Sequence, residues 1–268
     1  MPRWAMFALV SLVMPLAAGQ TAPPPLVWVF NGIPGDDPHK VFYEKNLAAL
    51  KAALRDQHGI PEADIRIYYG PERSGYAGIC TRERVLEQCA AITAHTRKPG
   101  ARPVWIILMG HANAYPAGAM FNLAGPDVSA KEFAAALADA GPATPLTVWI
   151  TTTCGGPFLK ALAKPGRIVV SASNPQDAEN ETEFPHAFVG ALADPATDAD
   201  NDRFVSVTEL FVATNARVLK TYEQGGFIVK EHAQLDGDGD GRGTSRPAAI
   251  DANPASRQGL PGTSGKFQ

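Results

Sequence analysis

Five short runs in this chain, at residues 26–32, 64–70, 104–111, 146–154 and 167–173, are dense in Val, Ile, Leu, Trp, Phe and Tyr. Runs of this kind, bounded by Pro and Gly, predict strands buried on both faces of a parallel sheet. Between them the apolar positions recur at helical spacing. Val41, Phe42, Leu47, Leu50 and Leu54 predict a helix from His39 to His58 that stops at Gly59. A second helix is N-capped by Thr81 and carries Val85, Leu86, Cys89 and Ile92 on one face. Ser129 and Glu132 have capping-box spacing and open a helix through Phe133, Leu137 and Ala138. Shorter helices are predicted over 157–163 and 185–192, and a longer one over 207–223. Strands alternating with helices predict an α/β protein, a mostly parallel sheet with helices on both faces.

Two of the strands end on reactive side chains. The third closes on Gly110-His111 and the fourth on Thr153-Cys154-Gly155-Gly156. In open α/β sheets ligands bind beyond the carboxyl ends of the strands, so both residues are expected on one edge. A thiol nucleophile needs a base to raise its thiolate fraction and a group to protonate the leaving amine, and His111 is the candidate partner for Cys154. Gly155 and Gly156 permit close backbone approach, which suits amides that face a developing oxyanion. Small and turn-prone residues at 112–125 predict a hairpin beside the site.

Length and charge narrow the classes. The 268 residues favour one large domain, and a formal net charge of -3 gives no basic excess to attract nucleic acid. Arg3, an apolar run to Leu16 and small residues at 17–19 read as a secretory signal at 1–19, followed by a Pro-rich leader at 20–25. The apolar run is shorter than the roughly 20 residues a membrane span requires, so no stable membrane insertion is expected. Secreted or periplasmic residence is expected instead. Nothing fixes an oligomeric state. In an oxidising compartment the three cysteines leave one unpaired: either Cys80 and Cys89 form a disulfide and Cys154 is the thiol, or all three are small buried residues.

A strand ending in Gly-His, then about forty residues, then a strand ending in Cys-Gly resembles the caspase-like fold of clan CD cysteine peptidases, in particular the legumain-type family and its bacterial secreted relatives. Residues 121–127, Ser171 to Pro175 and Asn180 to Phe184 add to the resemblance, which runs from about Leu26 to Gly243. It implies a three-layer sandwich and a cysteine-type endopeptidase acting on peptide or protein substrates, with no cofactor required for the chemistry. Cys154 would attack the scissile carbonyl and His111 would protonate the leaving amine. Amides at Gly110 and Cys154 would hold the oxyanion, while Ser171, Ser173 and Asn174 would line the specificity pocket. Aligning the turn on Gly156-Pro157-Phe158 puts Thr153 at the nucleophile position, so both placements stay open.

Two acidic segments add a possible cofactor, calcium. Asp198, Asp200, Asp202, Ser206 and Glu209 fall at positions 1, 3, 5, 9 and 12 of an EF-hand loop, with the Phe204 carbonyl at 7 and Arg203 in place of the usual glycine at 6. Asp236, Asp238 and Asp240 repeat the first three positions without an acid at 12. From 244 to 268 the composition predicts a disordered tail. Two functions follow: a secreted cysteine peptidase, or a caspase-like scaffold without turnover that binds calcium and acts as an adaptor.

Overall fold

A computed structural model describes residues 23–70, 75–116, 118–141, 143–175, 177, 181–246 and 258–261. The segment expected to be a signal, 1–19, lies outside the described residues. The protein is an α/β fold built on a central sheet of seven strands.

The sheet contains β1 (Leu26–Asn31), β2 (Ile65–Tyr69), β3 (Gly78–Ile79), β4 (Val104–Met109), β8 (Leu146–Ile150), β9 (Arg167–Ser171) and β11 (Gln234–Asp236). Its spatial order is β11-β9-β8-β4-β1-β2-β3, and every neighbouring pair is parallel except β11 with β9. Residues of β4 divide between the two faces at period two, as a pleat requires. Trp105, Ile107 and Met109 join one core, while Val104, Ile106 and Leu108 join the other. The first core is closed by α1 (Asp37–Ala52), α5 (Phe184–Leu192) and α6 (Val207–Gly225), the second by α2 (Arg82–Thr96), α3 (Ala130–Ala136) and α4 (Gly155–Leu162). The five predicted strands and six predicted helices are all present, and helices cover both faces.

The connections explain where a ligand can sit. From β1 the chain moves outward to β2 and β3, whereas from β4 it moves the other way, to β8 and β9. With right-handed crossovers, opposite directions of travel put the helices on opposite faces, which opens a crevice beyond the carboxyl ends of β1 and β4. A small antiparallel sheet of β5 (Ala112–Tyr115), β6 (Gly118–Phe121) and β7 (Val128–Ser129) leaves directly from the end of β4, where the hairpin was expected.

Three expectations change. Cys80 and Cys89 are not joined; both thiols are buried in the second core. Helix α2 starts at Arg82, two residues after Cys80, and Cys89 lies seven residues into it, about 10 Å along the axis from its first residue. Burial pushes the Cys89 thiol up to about 12 and the Cys80 thiol higher still, which keeps both inert. The C-terminal tail is not wholly without structure. Gly259–Pro261 forms β12, antiparallel to β10 (Phe204–Ser206), and Leu260 is fully buried. The reason lies partly at His58, whose ring nitrogens meet the carbonyl oxygens of Pro261 at 2.7 Å and Leu192 at 2.9 Å. Finally, the second acidic segment begins as strand β11, paired with β9 and bridged from Leu235 to Thr244.

Candidate active site

Four neighbouring strands, β1, β4, β8 and β9, deliver side chains to the crevice. The loop after β1 ends at Asp36, which N-caps α1: its Oδ1 accepts from the His39 amide at 2.9 Å and meets His39 Nδ1 at 2.5 Å. His39 therefore faces the end of β4, and its ring lies edge-on to that of His111 with centroids 5.0 Å apart. Past β9, the segment before α5 contributes Glu181, whose Oε1 is 2.9 Å from His111 Nδ1 and 3.6 Å from His39 Nε2. That segment is anchored by Thr182 Oγ1, which donates to Thr151 O at 2.9 Å, and by the Glu183 amide, which donates to Glu231 Oε1 at 2.8 Å.

Strand β8 ends at Ile150, four residues before the cysteine that was expected to close it. A three-threonine turn intervenes, and Cys154 N-caps α4 with left-handed backbone, φ 50° and ψ 31°. A side chain in this region costs about 1 kcal/mol or more, so the surroundings must hold it there. They do so through the flanking residues. Thr153 Oγ1 accepts from the Ala112 amide at 3.0 Å and donates to the Ala112 carbonyl at 2.6 Å. The Gly155 amide donates to Ser173 Oγ at 2.9 Å. A Cβ on Gly155 would stand 2.2 Å from Ser171 Oγ, and one on Gly156 would stand 2.6 Å from Pro175 N, so glycine is required at both positions.

These bonds engage several residues named from sequence. Thr153 is a buried clamp with its hydroxyl engaged at both lone pair and proton. The Gly155 amide, expected from sequence to face an oxyanion, donates to Ser173 Oγ. Ser171 and Ser173, expected to line a specificity pocket, are both buried; Ser171 Oγ donates to the Ser173 carbonyl at 2.6 Å, and Ser173 Oγ holds the cysteine turn through the Gly155 amide. The Asn174 amide donates to Asp177 Oδ2 at 2.8 Å, continuing the same brace. Gly110 has φ 125°, and its Cα packs against Gly32, where a Cβ would meet Gly32 N at 3.1 Å.

Asp36, His39, Tyr43 and Glu181 were not assigned from sequence. The signal for the first pair was present, since Asp36 sits three residues before a histidine at the end of the first strand, a capping residue that can also orient an imidazole. Tyr43 is buried, with its ring 6.0 Å from that of His111. Burial first, then the charges of Glu181 and Asp36, raise its phenol well above the ordinary range. A groove of about 660 Å³ opens beside Glu181, lined also by Tyr222, Gly226, Phe227, Ile228 and Lys230.

The acidic segments fold as compact loops. In the first, Asp198 accepts from the amides of Asp202 and Arg203, Asp202 accepts from that of Phe204, and Arg203 takes φ 69°, the conformation that glycine usually supplies. Ser206 and Glu209 form a capping box on α6, and Glu209 Oε1 also reaches the Ala199 amide. Carboxylate oxygens of Asp198, Asp200 and Asp202 lie within 4.8 Å of one another, as do those of Asp236, Asp238 and Asp240. The first set, with Phe204, Ser206 and Glu209, has the hard oxygen donors that calcium takes.

No protein-family model matches the chain, and no curated protein does. Among solved structures the chain is similar to a secreted C11 cysteine protease from Bacteroides thetaiotaomicron, solved with an irreversible peptide inhibitor, at 11% identity and a TM-score of 0.43. That match covers 79% of this chain and 66% of the other. It is also similar to drICE at 10% identity and a TM-score of 0.43, covering 75% of this chain and 84% of that one.

Proposed function

We propose that the protein is a secreted or periplasmic cysteine-type endopeptidase with Cys154 as nucleophile and His111 as acid and base. The observation that carries this reading is the Thr153–Ala112 clamp. Ala112 and Thr153, the residues next in sequence to His111 and Cys154, are joined by two hydrogen bonds, which brings the two backbones together beyond the ends of β4 and β8.

The Cys154 sulfur attacks the scissile carbonyl, and the tetrahedral intermediate collapses as His111 gives a proton to the leaving amine. A water, deprotonated by His111, then hydrolyses the thioester and frees the thiol. Glu181, at His111 Nδ1, orients the ring with its other nitrogen available to the cysteine, the role of the third group in a nucleophile–base–orienter set. Negative charge developing near Cys154 lies at the N-terminus of α4, where the helix dipole is favourable. The groove beside Glu181 offers exposed Phe227 and Ile228 as an apolar shelf for substrate. Among the described residues no helix is long and apolar enough to cross a membrane.

Treatment with a peptide-based thiol-reactive probe tests this reading. Labelling should occur in the parent chain, vanish in Cys154→Ala and fall at least about a hundredfold in rate in His111→Ala. Labelling that persists in Cys154→Ala rejects it.

The Asp198–Glu209 loop supports a second element, structural calcium, because Arg203 already adopts the turn that the EF-hand register demands. If Cys154 proves inert, calcium binding on a non-catalytic scaffold is the reading that remains.

A further inference from the structure

Three ligand-type side chains from three different connections meet in the crevice: His39 from the first turn of α1, His111 after β4, and Glu181 before α5. A ring nitrogen of each histidine and a Glu181 carboxylate oxygen all lie within 4.8 Å of one another. Neighbouring ligands in a tetrahedral zinc site, with bonds of about 2.0–2.1 Å, stand about 3.3 Å apart. The 2.9 Å and 3.6 Å separations from Glu181 to the two imidazoles bracket that spacing.

Two further observations point to a bound ion. Asp36 holds His39 Nδ1 at 2.5 Å, which fixes that nitrogen as the N–H and leaves the Nε2 lone pair on the side of Glu181. A carboxylate behind the remote nitrogen of an imidazole is the usual outer partner of a metal-bound histidine. The Tyr43 ring lies 6.2 Å from that of His39 and 6.0 Å from that of His111, and its buried hydroxyl has no hydrogen-bond partner among the described residues. A water on the open coordination position of a cation would supply one.

We propose that His39, His111 and Glu181 bind a divalent cation of the zinc class, and that its occupancy switches off the peptidase site by withdrawing His111 from Cys154. Two imidazoles and one carboxylate select zinc and its late first-row neighbours over calcium and magnesium, which take oxygen ligands. The cation and the Glu181–His111 pair compete for the same atoms, so binding and catalytic competence exclude each other. The inhibitory consequence rests on the peptidase reading; the binding does not.

The test is a zinc titration of the full chain against a chromophoric chelator, with calcium in excess to occupy the aspartate loops. One site is expected, weakened at least about tenfold in His39→Ala and in Glu181→Gln and kept in Cys154→Ala. Both His39 and Glu181 are partly exposed, so these variants should fold, and unchanged circular dichroism verifies it. Cobalt in place of zinc should give four-coordinate visible bands without a thiolate charge-transfer band. Peptide hydrolysis by the parent chain should be lost with zinc and regained with chelator, and inhibition of His39→Ala should need at least about tenfold more zinc. Undiminished binding in His39→Ala and Glu181→Gln overturns the site. Binding that disappears in Cys154→Ala, with a thiolate band, also overturns it. If no variant shows Cys154-dependent hydrolysis, the peptidase reading fails, while the titration still decides the cation site.

Discussion

The Thr153 hydroxyl grips both backbone groups of Ala112, accepting from its amide at 3.0 Å and donating to its carbonyl at 2.6 Å. This pairing ties the turn after β8 to the start of β5, next in sequence to Cys154 and His111. Substituting Thr153→Val keeps the shape but leaves a buried donor and acceptor without partners, which costs about 1–3 kcal/mol. Thr153→Ser should lose much less. Urea denaturation measures the stability change, and the rate of Cys154 alkylation should fall in the valine variant and recover in the serine variant.

Glu231 anchors the segment that carries Glu181 and is nearly fully buried. Burial pushes its carboxyl up to about 7, with backbone amides opposing the shift. A carboxyl raised on folding contributes stability that is complete below its ordinary value near 4.5 and is lost as pH climbs through 7. Melting temperature should therefore decline from pH 5 to pH 8 by an amount equivalent to up to about 3 kcal/mol. Glu231→Gln should remove that component of the decline. An identical pH profile for the two proteins would refute the assignment.

His58 joins the C-terminal strand to the end of α5 through Pro261 and Leu192. Burial depresses its basicity, partly offset by the two carbonyls. The neutral ring is thus favoured on folding, and this contribution is lost as pH falls below the ordinary histidine value of about 6.5. His58→Ala should cost about 2 kcal/mol and free β12 from β10. Limited proteolysis should then cleave near Gln258 faster than in the parent chain, and acidification below pH 6 should accelerate cleavage of the parent alone.

For the first acidic loop, millimolar calcium should raise the melting temperature by several degrees, and Asp198→Ala should abolish most of the rise. Asp202 is informative here. Its carboxyl is raised by burial and by the charges of Asp200, Asp198 and Glu209, and a cation would relieve that repulsion. No shift with calcium or with chelator would show that the loop is held by its amide bonds alone.

The predicted elements rested on signals that are local in sequence. The apolar runs of β1, β4 and β8 could satisfy their faces only inside a two-sided sheet, and Thr81, Ser129 and Gly59 marked helix ends because their capping chemistry operates within one turn. Contacts between distant segments left no such trace. Cys80 and Cys89 are both buried in the second core without a bond between them, and nothing local to either residue separates that outcome from a disulfide. Strand β12 is three residues long, and it forms because β10 and His58 present partners to it.

The sequence by itself determined the α/β class, the order of strands and helices, and the placement of His111 and Cys154 beyond strand ends, since periodicity and capping are properties of neighbours along the chain. Tertiary structure alone decided that Thr153 is a clamp, that Ser173 takes the Gly155 amide, and that Asp36, His39 and Glu181 gather around His111. Those roles depend on the register of β1, β4, β8 and β9, which brings together groups as far apart as Asp36 and Glu181. Register is set by packing over the whole sheet, and no single stretch of the chain encodes it.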